Sequence, residues 1–116
     1  FLAVAAGAFG AHGLQGRLDA HSMTIFETAA RYHMYHALAI GLAAAAARNS
    51  AASSAANGAA VFFLAGIVLF SGSLYGLALG GPILLGPVTP LGGLGFILGW
   101  GCLFVEALKS KPAAES

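Results

Sequence analysis

Residues 59–79 read AAVFFLAGIVLFSGSLYGLAL and residues 91–108 read LGGLGFILGWGCLFVEAL, two apolar runs parted by the Gly/Pro-rich segment Gly80–Pro90. Each is close to the roughly 20 residues that an α-helix needs to cross about 30 Å of hydrocarbon. From Asn49 to Val105 not one Asp, Glu, Lys, Arg or His occurs, whereas about a quarter of the residues of an ordinary soluble domain are charged. The chain therefore reads as an integral membrane protein of the all-α class.

Working outward, the whole sequence agrees. It is 59% hydrophobic and 8% charged, with 116 residues in all. That length accommodates one transmembrane domain over residues 1–116, a bundle of four transmembrane helices, and no separate soluble domain. The spans are expected at about residues 1–12, 28–47, 59–79 and 91–108. The record opens on Phe1 inside an apolar run, which reads as an incomplete N-terminus. A net charge of +1 leaves no basic face for nucleic acid. Cys102 is the only cysteine, so it reads as apolar packing and not as a disulfide partner or metal ligand.

Local signals place the helix ends. Gly13 suits a left-handed cap on the first helix. Asp19 or Ser22 can cap the second, and Thr24–Glu27 also fits a capping box. Asn57 is expected to cap the third, and Gly80–Pro90, with Pro82, Pro87 and Pro90, is expected to be non-helical. Arg48 and the Lys109/Lys111 tail then share one side of the membrane, and Arg17 and Arg31 the other. The positive-inside rule narrowly favours both ends in the cytoplasm.

At helical periodicity, Tyr32, His36, Ala39, Ala43 and Ala47 share one stripe of the second helix, opposite Met34, Leu38 and Leu42. Helices associate in lipid through small residues and interhelical hydrogen bonds, so the Ala stripe is expected to face the bundle. Glu27 and Arg31, one turn apart, are expected to pair. In the third and fourth spans Gly72, Gly76 and Gly80, and Gly95 and Gly99, repeat at the G-x-x-x-G spacing of closely packed membrane helices. Contact within one protomer is the plainer reading of these glycines, and contact with a second copy the other.

The four-span topology brings His12, Tyr32, His36, Ser71, Ser73, Tyr75 and Thr89 toward one leaflet. Polar groups in hydrocarbon are costly unless paired, so these residues are expected to form a hydrogen-bonded cluster. Helix-end glue is the bland reading; a ligand pocket or a proton relay by His36 and Tyr32 are the sharper ones. No cofactor or metal is expected, and a haem held by His12 and His36 is the one cofactor that the histidines offer.

Five segments, in order, resemble a known family: Gly7–Leu14 (GAFGAHGL), Phe26–Ala39 (FETAARYHMYHALA), Leu69–Tyr75 (LFSGSLY), Thr89–Gly93 (TPLGG) and Gly99-Trp100. Together they span nearly the whole chain. The family is the set of small bacterial membrane proteins catalogued as domain of unknown function 423, related to eukaryotic transmembrane protein 256. His33 stands where an amide side chain is expected and is left out of the motif. The resemblance implies a multi-pass protein of a bacterial inner membrane, with a mitochondrial membrane as the alternative, and it implies no assigned activity.

No acid lies mid-span and no nucleophile stands beside a base. The chain is therefore expected to be no enzyme but an accessory, structural or interaction subunit of a membrane complex. Its expected partners are the bilayer and other membrane subunits or a second copy of itself. The alternative is a small dimeric proton-coupled transporter with the His/Tyr site near one membrane face. Small exporters of this size depend on an acid in the first span, which this chain lacks, and Glu106 reads as lying near the surface.

Overall fold

The computed structural model describes residues 1–50 and 54–110. Among them every regular element is helical. Helix α1 covers Leu2–Ala8 and runs on through a π turn, Phe9–Gly13. Helix α2 covers Ala20–Arg48. Helix α3, Ser54–Gly66, continues through a second π turn, Ile67–Ser71, into α4, Gly72–Ala78. After a 3-10 turn at Ile83–Leu85 comes α5, Val88–Lys109.

The ends follow from side-chain and glycine chemistry. Asp19 caps α2, its Oδ1 accepting the Ser22 N–H at 2.7 Å. That N–H holds the exposed Asp19 carboxyl below the usual carboxylate range. A lowered carboxyl contributes its stability above the unfolded-state range and loses it as the pH falls through the folded value. Acidification below the carboxylate range should therefore fray the first turn of α2, read as faster amide exchange at Ser22 with the rest of the helix protected. The Thr24–Glu27 capping box does not form, because Thr24 Oγ1 donates to the Ala20 carbonyl inside a helix already begun. Nor does Glu27 form an ion pair with Arg31; both side chains are exposed.

Gly13 is not the left-handed residue after α1. The chain takes a further turn, and Gly16 carries the positive φ of +74°. At the far end of α4, Gly80 has φ +85°. Its N–H bonds Leu77 O at 3.2 Å and the Gly81 N–H bonds Gly76 O at 2.7 Å. This paired pattern is the Schellman stop. Two expected boundaries move outward. Helix α3 starts at Ser54, so Asn57 sits one turn inside it, and α5 starts at Val88, so Pro90 falls in a first turn where its missing N–H costs nothing. Residues 51–53 of the expected Arg48–Gly58 turn, and 111–116 of the tail, lie outside the described residues.

Two continuous helices, Ser54–Ala78 and Ile83–Lys109, are long and apolar enough to cross a membrane, and Leu2–Gly13 is a shorter apolar helix. Only 22% of the most apolar window of each long helix is buried within the protein. An apolar helix turned outward in this way suits hydrocarbon and not a soluble core. Leu38 and Leu42 on α2 are likewise exposed, opposite the fully buried Ala39 and Ala43. The Ala stripe does face the interior.

The helices pack in chain order as a staggered layer. Helix α1 lies along α2, α2 along α3 and α4, and α5 along α3, while α5 scarcely meets α2. Ala39, Ala43, Ala59, Phe63 and Phe96 form the main core, and Leu14, Phe26 and Ala78 a smaller one under the connector. The closest seam joins α5 to α3. A Cβ on Gly92 would strike the Phe70 backbone, one on Gly95 would lie 3.3 Å from Phe62 O, and one on Gly99 would lie 2.6 Å from the Phe63 ring. Gly66 faces Phe96 in the same way.

The G-x-x-x-G reading thus holds for Gly95 and Gly99 and fails for the earlier set. Gly72 opens outward, Gly76 seats the Leu85 side chain 2.6 Å from its would-be Cβ, and Gly80 is the helix stop. Sequence spacing could not separate these roles, because each glycine's neighbour is set by a different part of the chain.

Candidate functional site

Among the described residues, the polar side chains buried in this layer are His36, Ser71, Ser73 and Glu106. Their geometry divides the expected cluster into separate clips. Ser71, fully buried at the π turn, donates to the Ala29 carbonyl at 2.8 Å and ties α3 and α4 to α2. Ser73 and Thr89 hydroxyls meet at 2.6 Å and tie α4 to the start of α5. Tyr75 Oη meets His33 Nδ1 at 3.2 Å. His33, set aside in the sequence reading, is therefore one of the joining residues. His12 is not: it is exposed, and no hydrogen bond or ring contact connects it to Tyr32 or His36.

His36 is the centre of the arrangement, and it lies deeper than expected. Its ring stacks on Phe96 with centroids 3.5 Å apart and an interplanar angle of 5°. Phe63, Tyr32 and Trp100 complete the surround at 5.6, 6.0 and 6.1 Å. Nδ1 lies 2.7 Å from the Tyr32 carbonyl, and Trp100 Nε1 donates to Nε2 at 3.2 Å. A carbonyl only accepts and an indole N–H only donates, so Nδ1 carries the hydrogen and Nε2 the lone pair. Both nitrogens are occupied. His12, the other histidine of the expected haem pair, makes no contact with this ring.

Trp100 and Phe96 were missed as site residues. The available signal was chemical: an indole N–H in an apolar run needs an acceptor, and His36 is the acceptor at matching depth. Beside His36, between α2 and α5 and floored by Phe70, runs a groove of about 780 Å³. Tyr32, Tyr35, Leu94, Ile97 and Trp100 form its walls. Apart from the phenols, the His36 imidazole and the Trp100 indole N–H, the lining is apolar, and the groove opens sideways from the layer.

Residues 6–93 match the family described as "Protein of unknown function (DUF423)". The chain belongs to this family. It is 44% identical over 108 residues to the UPF0382 membrane protein YwdK of Bacillus subtilis, covering 93% of this chain and 88% of that one. It is 45% identical to the UPF0382 inner membrane protein YgdD of Escherichia coli K12, over all of this chain and 88% of that one. A Staphylococcus epidermidis UPF0382 membrane protein, SERP0230, is 47% identical over 93% of this chain and 87% of its own length. No solved structure matches. The family match includes the His36 side of the site and ends at Gly93, before Phe96 and Trp100. Membrane residence, expected from the apolar runs, agrees with how these family members are named.

Proposed function

We propose that the protein is a four-span inner-membrane protein without catalytic activity that serves as an interaction subunit of a membrane complex. The observation that carries this is the contrast at His36. The buried imidazole beside the groove is saturated by its own protein, while the groove offers exposed Tyr35, Leu94, Ile97 and Trp100. A groove that is apolar, aromatic and open to the side suits an apolar helix of a partner subunit, as the close approach of membrane helices requires. A photo-crosslinking side chain at Ile97 should yield one discrete adduct in native membranes. Leu94→Trp, which fills the groove, should abolish it. Adducts with lipid alone, or an adduct indifferent to Leu94→Trp, would overturn the docking role.

The four-span count rests on α1 and α2 joining the two long apolar helices. Helix α2, 29 residues long, reaches about 43 Å at 1.5 Å per residue and carries no Asp, Glu, Lys or Arg between Arg31 and Arg48. Both chain ends and Arg48 then lie on the cytoplasmic side, with Arg17 and Pro87 opposite. In a Cys102→Ala background, cysteines at Ser54 and Gly86 should react with an impermeant reagent from opposite sides. Reaction of both from one side would sink the four-span arrangement. A dimeric proton-coupled transporter built on His36 and Tyr32 draws no support from the site, since His36 has no idle nitrogen with which to pass a proton.

A further inference from the structure

Glu106 is the acid that does not fit. The sequence places it almost at the end of α5 and so near the surface, yet it is 1% exposed. Neither carboxyl oxygen has a hydrogen-bond partner, and no other buried side-chain polar atom among the described residues is left so. The antiparallel seam that sets Gly92 against Phe70, Gly99 against Phe63 and Cys102 near Gly58 sets Glu106 opposite the first turn of α3, Ser54–Ala56. Helix α3 brings no titratable side chain. The cations at this end of the layer, Arg48 at the end of α2 and Lys109 one turn beyond Glu106, are both exposed and form no ion pair with it. Cys102, one turn before, is half-buried.

A carboxylate without counter-charge or hydrogen bond is among the most costly groups a membrane helix can bury. It persists where something else neutralises it. We propose that Glu106 is a proton-loading site, whose carboxyl takes up a proton from the face where Arg48 and Lys109 lie. Glu106 lies about 4.5 Å along the axis from the end of α5, at 1.5 Å per residue, so a proton has only one helical turn to travel. The inference goes beyond the docking role and does not rest on it.

The test uses the full chain in liposomes with dicyclohexylcarbodiimide, which attacks a carboxylic acid in apolar surroundings, and locates the adduct by mass spectrometry. Glu106 should be modified, with a yield that falls as the pH is raised. Protection by sodium, but not choline, at fixed pH would overturn the assignment to the proton. Glu106→Gln should fold, escape modification, and lose the dependence of melting temperature on pH that the parent shows. No adduct under any condition, a yield that ignores pH, or parent and Glu106→Gln melting alike throughout would each overturn the proposal.

Discussion

Gly92→Ala is expected to be among the most damaging single-methyl changes in this chain, while Gly72→Ala should be harmless. Both glycines lie in helices, so local propensity predicts a gain of up to about 1 kcal/mol for either replacement. At Gly72 nothing but its own Ile67 carbonyl, 3.9 Å away, would meet the methyl, and the residue is exposed. At Gly92 the methyl lands on the Phe70 backbone. Side chains in an overpacked core can rotate away at about 1–3 kcal/mol, but here two helix backbones must separate, so the loss should reach or pass the top of that range. Against a total stability of about 5–15 kcal/mol, Gly92→Ala should melt well below the parent in detergent and Gly72→Ala at or above it. Equal melting of the two variants would show that α3 and α5 do not touch there.

That contrast also marks how far the fold was legible. Hydropathy and the lack of charge from Asn49 to Val105 were enough for helix class and membrane residence. The Ala stripe on α2 was legible too, because in lipid small residues turn inward and Leu38 and Leu42 turn out. What the sequence hid was which glycine touches what. Gly72, Gly76 and Gly80 share one spacing yet have an open face, a loop leucine and a helix stop as neighbours. Gly92, outside the expected pair, makes the tightest approach. Periodicity reports a face of one helix, not the register of its partner.

The site was legible in its residue types and not in its grouping. Each polar residue in an apolar run must find a partner, and Ser71, Ser73, Tyr75, Thr89 and His36 all do. The expectation of one shared network failed because hydrogen bonds are short and each helix pair supplies its own. His12 dropped out because the π turn that ends the first helix leaves it exposed, away from the buried ring of His36. The burial of Glu106 was hidden for a related reason. Distance from a helix end along the sequence says nothing about which side of the helix the residue occupies, and α5 turns that side onto α3.

The His36–Trp100 clip allows the sharpest separation of site from scaffold. Trp100→Phe keeps a ring against Phe63, now 5.1 Å from the indole, but leaves Nε2 without its donor. Such an orphaned buried group costs about 1–3 kcal/mol, although interhelical bonds in membranes average nearer 0.6 kcal/mol, so roughly 1 kcal/mol is expected. His36→Leu should cost more. It abandons the Tyr32 carbonyl and the Trp100 N–H together and gives up the stack on Phe96, an aromatic pair of about 0.5–1.5 kcal/mol beyond its buried area. In the double variant Trp100→Phe no longer strands a partner, so its added cost on the His36→Leu background should fall toward zero. Nitrogen NMR should find the hydrogen on Nδ1 in the parent and in Trp100→Phe alike, held there by the Tyr32 carbonyl, while the Nε2 resonance shifts where the indole donor is lost. Strict additivity of the two substitutions, together with an unmoved Nε2 resonance, would mean that the indole and imidazole are neighbours without a bond.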